Sequence, residues 1–202
     1  DLLVINDGST DRTGYLSAKE GAFVLEHPYN MGIGATVQSG LLYAMRNDYD
    51  VAIQTDGDGQ HNPEFLASLI EPLSAGRSNL VIGSRYLSDG GFKSTPLRKM
   101  GITFFIYLIL IFTRRRITDP TSGFRAMDRK SIALFARDYP SDYPEVEALL
   151  LAHRKGLRFE EVPVRMGPRR GGTSSIGFLS AIYYMVKVTL AISIGFFRGA
   201  KE

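Results

Sequence analysis

Short apolar runs alternate with longer segments of mixed polarity through the first half of the chain. Four runs, each close to turn residues, have the pattern of buried strands: Leu2–Ile5, Ala22–Glu26, Val51–Thr55 and Leu80–Gly83. The segments between them predict three helices. The first covers about 11–21, the second is opened by residues 30–34 and ends near 47, and the third covers about 63–73, where Pro63 suits a first helical turn. This alternation predicts an α/β fold, with three α/β/α layers around a mostly parallel sheet.

The second half of the chain carries two strongly apolar segments. Gly101–Thr113 is almost wholly apolar and is followed by Arg114–Arg116, but it is shorter than the roughly 20 residues that a bilayer requires. Leu179–Phe197 is longer and has Lys187 near its centre, so it fits an interfacial helix, a buried helix or a marginal span. We therefore expect apolar helices towards the C-terminus.

Charge divides the chain into an acidic and a basic half. Residues 1–92 hold 12 Asp and Glu against 5 Lys and Arg, a net charge of −7, whereas residues 93–202 hold 9 against 19, a net charge of +10. This asymmetry indicates one region that holds a cation and one that meets an anion or a charged surface.

The absence of Cys excludes a disulfide scaffold and a cysteine-type zinc site. The basic residues follow no nucleic-acid-binding motif, so no nucleic acid partner is expected.

Two carboxylates separated by one glycine follow the third predicted strand. Asp56 and Asp58 would repel each other unless a cation lay between them, and Gln60 adds a third oxygen on the same turn. Such ligands suit Mg²⁺ or Mn²⁺, which in turn bind phosphates. The ordinary alternative is a solvated Asp-Gly turn. An EF-hand is excluded because His61 stands where that loop needs glycine and Ala67 where it needs an acid.

A second polar cluster follows the first predicted strand. Asp7, with Gly8 beside it, could accept hydrogen bonds from a nucleobase or a ribose, although Ser9 or Thr10 could simply cap the next helix. Residues 30–34 resemble half of a dinucleotide fingerprint, which is weak support for NAD. Ligands of α/β sheets bind at the carboxyl ends of strands, where both acidic turns are expected.

Together these motifs resemble glycosyltransferase family 2, and in particular its dolichol- and polyprenol-phosphate mannosyl- and glucosyltransferases. The resemblance rests on Asn6–Thr13, Asn30–Gly34, Asp56–His61, Gly83–Tyr86, Asp119–Arg125, Glu145–Glu147 and Arg169–Ser175, which occur in the family's order. The family's first strand and its adjoining nucleotide loop would lie upstream of Asp1, so the chain is interpreted as N-terminally truncated.

The resemblance implies a GT-A fold over residues 1–175 and a metal-dependent, inverting transfer of a hexose from a GDP- or UDP-sugar. It implies that Asp56, Asp58 and Gln60 hold Mn²⁺ or Mg²⁺. The nucleotide sugar would be bound by Asp7, Gly32, Asp56, Asp58 and Arg85. Asp58 would also count among the catalytic residues, because the metal stabilises the charge on the leaving diphosphate.

The resemblance also implies an acceptor, a polyprenyl or dolichyl phosphate. Its phosphate oxygen is already ionised and needs cationic positioning, for which Arg169 and Arg170 are the candidates, with Arg85 and Ser122 lining the cleft. Arg170 is included among the catalytic residues for this reason.

A hydroxyl acceptor would instead need a general base, and three carboxyl groups are candidates. Glu147 is favoured by the family match, and Glu145 and Asp119 remain alternatives.

A lipid acceptor fits the apolar helices and the basic charge. Gly101–Thr113 is flanked by cations at both ends, which favours contact with a membrane surface. Residues 176–202 are expected to form an apolar, membrane-associated helix, and the protein to lie, peripheral or weakly anchored, at the cytoplasmic face. Three other functions stay open: transfer to a saccharide hydroxyl, an inactive sugar-nucleotide-binding module, and a nucleotidyltransferase.

Overall fold

The computed structural model describes residues 1–87, 96–141 and 144–168, together with Thr189. The elements in chain order are β1 (Leu3–Asn6), α1 (Thr13–Lys19), β2 (Phe23–Glu26), α2 (Ile33–Arg46), β3 (Val51–Gln54), α3 (Leu66–Ser74), β4 (Leu80–Ser84), α4 (Pro96–Thr113), β5 (Arg125–Asp128), α5 (Arg129–Arg137), α6 (Pro144–Arg154) and β6 (Phe159–Pro163). A short 3₁₀ turn, Pro63–Phe65, precedes α3. The four strands and three helices predicted in the first half are therefore present.

The sheet is mixed, which corrects the prediction of a mostly parallel one. In the described residues, β1 and β2 form a parallel pair, and a separate four-stranded sheet has the order β3-β5-β4-β6. β5 runs antiparallel to β3 and β4, while β6 is parallel to β4. β5 was not predicted because its residues, Arg125–Asp128, contain only two apolar side chains and follow a turn-rich segment.

Two apolar cores lie on opposite faces of the four-stranded sheet. Alternate strand residues point to each face: Leu80 and Ile82 join the larger core with α2, α4, α5 and α6, whereas Val81 and Ala126 join a smaller core under α3. Helices thus cover both faces, as a three-layer arrangement requires. β3 and β4 both run antiparallel to β5, so their carboxyl ends lie at the same edge of the sheet, where the acidic turn follows β3.

α4 buries one face and exposes an apolar one. Phe105 and Ile109 are buried in the larger core and Ile102 is also buried, whereas the side chains on the other face are exposed: Met100, Phe104, Tyr107, Leu110 and Ile111. Among the described residues, no helix has both the length and the apolar character needed to cross a bilayer. The predicted helix Leu179–Phe197 lies outside the described residues apart from the helical Thr189.

Candidate functional site

The acidic turn after β3 packs against the loop that precedes β5. Gly123 is buried, and a Cβ atom added to it would lie 2.9 Å from Oδ1 of Asp56. The Asp56 carboxylate therefore rests directly on the glycine backbone, while 43% of its side chain stays exposed. The loop is joined to β4 by the Gly83 N–H, which donates to the Phe124 carbonyl at 2.8 Å. Together these contacts hold one carboxylate at the open edge of the sheet.

Asp58 and Gln60 lie on the same turn, and Gln60 is hydrogen-bonded to the segment after β6. The Gln60 N–H donates to Oδ1 of Asp58 at 3.0 Å, and the Gln60 side-chain amide donates to the Gly167 carbonyl at 3.1 Å. Gly167 returns a hydrogen bond to the Gln60 carbonyl at 2.9 Å. Because the Gln60 amide nitrogen is committed to Gly167, its amide oxygen is the atom that could bind a cation.

His61 packs against the acidic turn after β3. Its Nδ1 accepts the Asp56 N–H at 3.0 Å, and its ring stacks on Phe124 with centroids 4.6 Å apart. Burial lowers the pKa of His61, against the opposing effect of the Asp56 and Asp58 carboxylates. The imidazole is therefore neutral near pH 7, with its proton on Nε2. His61 thus supports the acidic turn through its hydrogen bond with Asp56 and its stacking on Phe124.

Arg85, at the end of β4, is held by Asp119 in a buried ion pair. Its Nε and Nη2 donate to the two carboxylate oxygens at 2.6 Å each, and its backbone N–H donates to Oδ2 at 3.0 Å. Burial disfavours the guanidinium charge, but Asp119 outweighs that effect and raises the pKa of Arg85, with a further contribution from Asp56. A fixed cation thus lies within electrostatic range of the acidic turn.

Two residues expected to face the acceptor point inwards instead. The side chain of Asp119 is fully buried and both of its oxygens bind Arg85, so it orients that cation and is not placed to accept a proton from an acceptor hydroxyl. Ser122 is 1% exposed, and its hydroxyl donates to the Gly83 carbonyl at 2.7 Å. Its direct contact with the acceptor phosphate is therefore not supported by this geometry, because its proton is engaged within the turn.

The start of α6 brings Glu145 and Glu147 near this edge. Arg125 is buried and donates to the carbonyls of Ser122, Pro120 and Glu145. Burial raises the pKa of Glu145, partly offset by the Arg125 charge. Glu147 is partly buried on the same helix. Both candidate bases thus lie in the first turn of α6, and burial disfavours the ionised form of Glu145.

Asp7 anchors the loop that leads into α2. Its carboxylate accepts the N–H groups of Met31 at 2.8 Å and Gly32 at 2.9 Å, and it lies 2.7 Å from Nδ1 of His27. Burial works against ionisation, but these hydrogen bonds prevail and lower the pKa of Asp7. Gly32 has φ +92°, a backbone conformation that side chains disfavour. Asp7 and Gly32, both expected at the nucleotide, are thus brought together.

Sequence reasoning assigned no role to three residues that the structure places in support of the site: His27, Arg125 and Glu161. His27 directly follows β2, at the same edge as Asp7, and its second nitrogen lies 2.9 Å from the Ser39 hydroxyl. Its position at a strand end was the available signal. Arg125 and Glu161 lie on β5 and β6, which the apolar pattern did not predict.

Arg169 and Arg170 lie outside the described residues.

The residues at the acidic turn fit a divalent cation. Asp56 and Asp58 provide hard oxygen ligands of the type that Mg²⁺ and Mn²⁺ prefer, and the Asp56 carboxylate lies in a space that any side chain at position 123 would fill. In the part of the chain that the structure describes, no group of three or more His, Cys, Asp or Glu side chains could hold an ion. Two carboxylates leave positions for phosphate oxygens, as Mg²⁺ sites at phosphates commonly do.

Comparison with known proteins supports the same interpretation. The sequence pattern of glycosyl transferase family 2 matches residues 1–135. The chain is 30% identical to polyprenol monophosphomannose synthase of Mycolicibacterium smegmatis, over 93% of this chain and 74% of that protein. It is 28% identical to UDP-N-acetylglucosamine–dolichyl-phosphate N-acetylglucosaminyltransferase of Methanococcus voltae, over 88% and 81%.

The fold is also that of a solved glycosyltransferase. Glucosyl-3-phosphoglycerate synthase of Mycobacterium tuberculosis, determined with Mn²⁺, UDP-glucose and phosphoglyceric acid, matches with a TM-score of 0.67 and 21% identity. The match covers 95% of this chain and 66% of that one. At this identity the likeness establishes the GT-A fold alone. With the family pattern spanning two thirds of its residues, the chain belongs to glycosyl transferase family 2 and is a glycosyltransferase.

Proposed function

We propose that the protein transfers a hexose, with inversion and with the help of a divalent metal, from a nucleoside-diphosphate sugar to a polyprenyl or dolichyl phosphate. The observation that carries this proposal is the placement of Asp56 and Asp58 at the same sheet edge as the buried Arg85–Asp119 pair. Anionic ligands for a metal and a fixed cation are the two features that a diphosphate leaving group needs.

The donor diphosphate lies between these two features. Asp56, Asp58 and the Gln60 amide oxygen hold Mn²⁺ or Mg²⁺, and the bound ion neutralises charge on the departing nucleoside diphosphate. Arg85 contacts the same phosphates, and Asp119 keeps its guanidinium from turning away. The sugars in the names of the two relatives differ, N-acetylglucosamine in one and mannose in the other, so the proposal extends to both GDP-mannose and UDP-glucose types of donor.

The nucleoside lies near the loop that Asp7 anchors. Because Asp7 accepts the Met31 and Gly32 N–H groups, it fixes the entry to α2, and with it the backbone that faces the nucleoside. The sequence predicts that Asp7 also contacts the base or the ribose. Its carboxylate already accepts hydrogen bonds from Met31, Gly32 and His27. We propose that Asp7 acts mainly by shaping this loop.

The acceptor is a lipid phosphate, as the names of the two sequence relatives from Mycolicibacterium smegmatis and Methanococcus voltae indicate for those proteins. An ionised phosphate oxygen attacks the anomeric carbon without a general base, so the chain needs cations more than a proton acceptor. We assign Arg169 and Arg170 to this task; they follow directly after residues 164–168, which are hydrogen-bonded to β4 and to the acidic turn. For a saccharide hydroxyl, Glu147 or Glu145 would serve as base.

The protein docks on the cytoplasmic face of a membrane through α4. The exposed side chains of Met100, Phe104, Tyr107 and Ile111 recur at helical spacing on one face, and Arg114–Arg116 follow the helix. An apolar stripe beside cations suits the boundary between acyl chains and anionic headgroups. In this arrangement residues 1–175 form the catalytic domain and residues 176–202 add a second apolar contact.

A donor screen tests the proposed reaction. The protein is incubated with Mn²⁺, labelled GDP- and UDP-sugars and a polyprenyl phosphate. Label in the lipid fraction with one donor supports the proposal. Label only on a water-soluble saccharide would favour the hydroxyl acceptor, and a folded protein that binds nucleotide without any transfer would favour the inactive module.

Flotation with anionic liposomes tests the membrane contact. Tyr107→Glu places a charge in the apolar stripe and should abolish flotation. Tyr15→Glu is the matched control, because Tyr15 and Tyr107 are both 61% exposed and Tyr15 lies on a different helix, α1. Docking through α4 would be contradicted if both variants lost flotation equally, or if both still floated.

A further inference from the structure

Glu161, on β6, lies behind the turn that carries Asp119. One of its carboxylate oxygens accepts the Asp119 N–H at 2.8 Å, and the other accepts the Thr118 N–H at 2.7 Å. The Thr118 hydroxyl lies 3.0 Å from both oxygens. The Glu161 carboxylate therefore accepts hydrogen bonds from two consecutive residues of the turn, Thr118 and Asp119.

The contacts continue from this turn to the end of β4. Asp119 binds the Arg85 guanidinium through both carboxylate oxygens, and the hydroxyls of Thr118 and Ser84 lie 2.7 Å apart. β6 and β4 are neighbours in the sheet, with Ile82 opposite Glu161. A single carboxylate on β6 is thus linked, through one turn, to the cation at the diphosphate side of the sheet.

The arrangement depends on an acceptor at both oxygens of Glu161. The two backbone N–H groups approach different oxygens, so an amide side chain, which has one oxygen, could satisfy only one of them. Burial raises the pKa of Glu161, although the hydrogen bonds from Thr118 and Asp119 act in the opposite direction. A partly buried carboxylate that accepts this many hydrogen bonds is costly to remove, because its partners would be left unpaired.

We infer that Glu161 is a positioning residue for Arg85: it fixes the Thr118–Asp119 turn, and that turn presents the Asp119 carboxylate which orients the guanidinium on the donor diphosphate. This inference rests on the proposed function, in which Arg85 contacts the diphosphate. It assigns to β6 a part in donor binding, although Glu161 itself touches neither substrate nor metal.

Glu161→Gln is the first test, because it keeps the shape of the side chain and removes one acceptor. Calorimetric titration with the nucleoside diphosphate and Mn²⁺ should show about tenfold weaker binding, a loss of about 1.4 kcal/mol. In turnover, the KM for the donor should rise more than kcat falls. Glu160→Gln is the matched control: Glu160 is the adjacent residue on β6 and lies 3.5 Å from the exposed Arg77. It should bind as the unmodified protein does.

A double-mutant cycle with Arg85→Lys separates positioning from a general loss of structure. If Glu161 acts through Arg85, the Glu161→Gln penalty on nucleotide affinity should largely disappear in the Arg85→Lys background. Full additivity of the two penalties would overturn the inference. Should Glu161→Gln fail to fold, Thr118→Val removes one donor to Glu161 and should weaken nucleotide binding in the same direction by a smaller factor; unchanged binding would then overturn it.

The outcomes also separate this inference from the proposed function. An unmodified protein that binds no nucleoside diphosphate would contradict the proposed function and the inference with it. An unmodified protein that binds the nucleotide, alongside a Glu161→Gln variant that binds it equally well, would contradict the inference alone.

Discussion

Arg85 and Asp119 form a bidentate ion pair whose two side chains are 7% and 0% exposed. The two residues come from different parts of the fold, the end of β4 and the turn before β5, and the pair fixes one against the other. A buried pair of this kind gains little net stability over apolar packing, because both charges must leave water. Its value here is orientational, since it holds a cation in one position near the acidic turn.

Breaking this pair should destabilise the protein strongly. Asp119→Asn leaves the buried Arg85 guanidinium without its counter-charge, and we expect a loss of about 3–5 kcal/mol in the free energy of unfolding, measured in urea. Asp50→Asn is the control: Asp50 pairs with Arg129 at 2.7 Å, but the two side chains are 85% and 56% exposed. That change should cost less than about 1 kcal/mol. Similar losses in the two variants would contradict the buried pair.

A methyl group at position 123 should disturb the metal site more than the fold. In Gly123→Ala the added Cβ would lie 2.9 Å from Oδ1 of Asp56, and the carboxylate, as the end of a flexible side chain, would move aside. We expect a higher Mn²⁺ concentration for half-maximal activity, by about three- to tenfold, since even about 1 kcal/mol corresponds to a fivefold change.

Gly57→Ala provides the comparison for that variant. Gly57 lies in the same turn, and nothing approaches within 4 Å of an added Cβ. Its Mn²⁺ dependence should stay close to that of the unmodified protein. A Gly123→Ala enzyme with unchanged Mn²⁺ dependence would show that the Asp56 position does not matter to the metal.

Two glycines of the α2 region should respond in opposite directions to alanine. Gly32 has φ +92°, so Gly32→Ala should cost about 1–3 kcal/mol of stability and loosen the loop on Asp7. Gly40 lies inside α2, where an added Cβ meets only Ile5 at 3.7 Å, so Gly40→Ala should gain up to about 1 kcal/mol. Thermal unfolding measures both, and a gain for Gly32→Ala would contradict the described loop.

Acid should remove the contribution of Asp7 to stability. Because its pKa in the folded protein lies below the ordinary value of 3.8, Asp7 stabilises the fold fully above that value, and this stabilisation is lost as the pH falls through the lower, folded pKa. Asp7→Asn should therefore be less stable than the unmodified protein at pH 7, with the difference shrinking below about pH 4. A difference that is constant from pH 7 to pH 3 would contradict the hydrogen-bonded carboxylate.

The predictable part of the fold follows the apolar runs. β3 and β4 are continuous apolar segments that end in polar turns, so both the strands and the acidic turn at Asp56–Asp58 could be located from the sequence. β5 carries Arg125 and Asp128 among its four residues; Arg125 is buried and Asp128 partly buried, and both are hydrogen-bonded within the fold, whereas a hydropathy pattern assigns charged residues to the surface. The mixed sheet could not be predicted for this reason.

The candidate site was predictable in its residues more than in their roles. Asp7, Arg85 and Asp119 were identified, but their partners lie 20 or more residues away along the chain, so spacing alone could not show that Asp119 holds Arg85 or that Asp7 anchors Met31 and Gly32. Glu161 was missed because it supports the site from the neighbouring strand β6, and only the pairing of β4 with β6 brings it there.

The central claim is that Asp56 and Asp58 bind a divalent cation together with the donor diphosphate. Calorimetric titration of the folded protein with GDP and with UDP, each with and without Mn²⁺, tests it most directly. We expect Mn²⁺ to tighten the binding of the preferred nucleotide by at least tenfold, and Asp58→Asn to abolish that gain without unfolding the protein. Nucleotide affinity that is the same with and without Mn²⁺ would contradict the account.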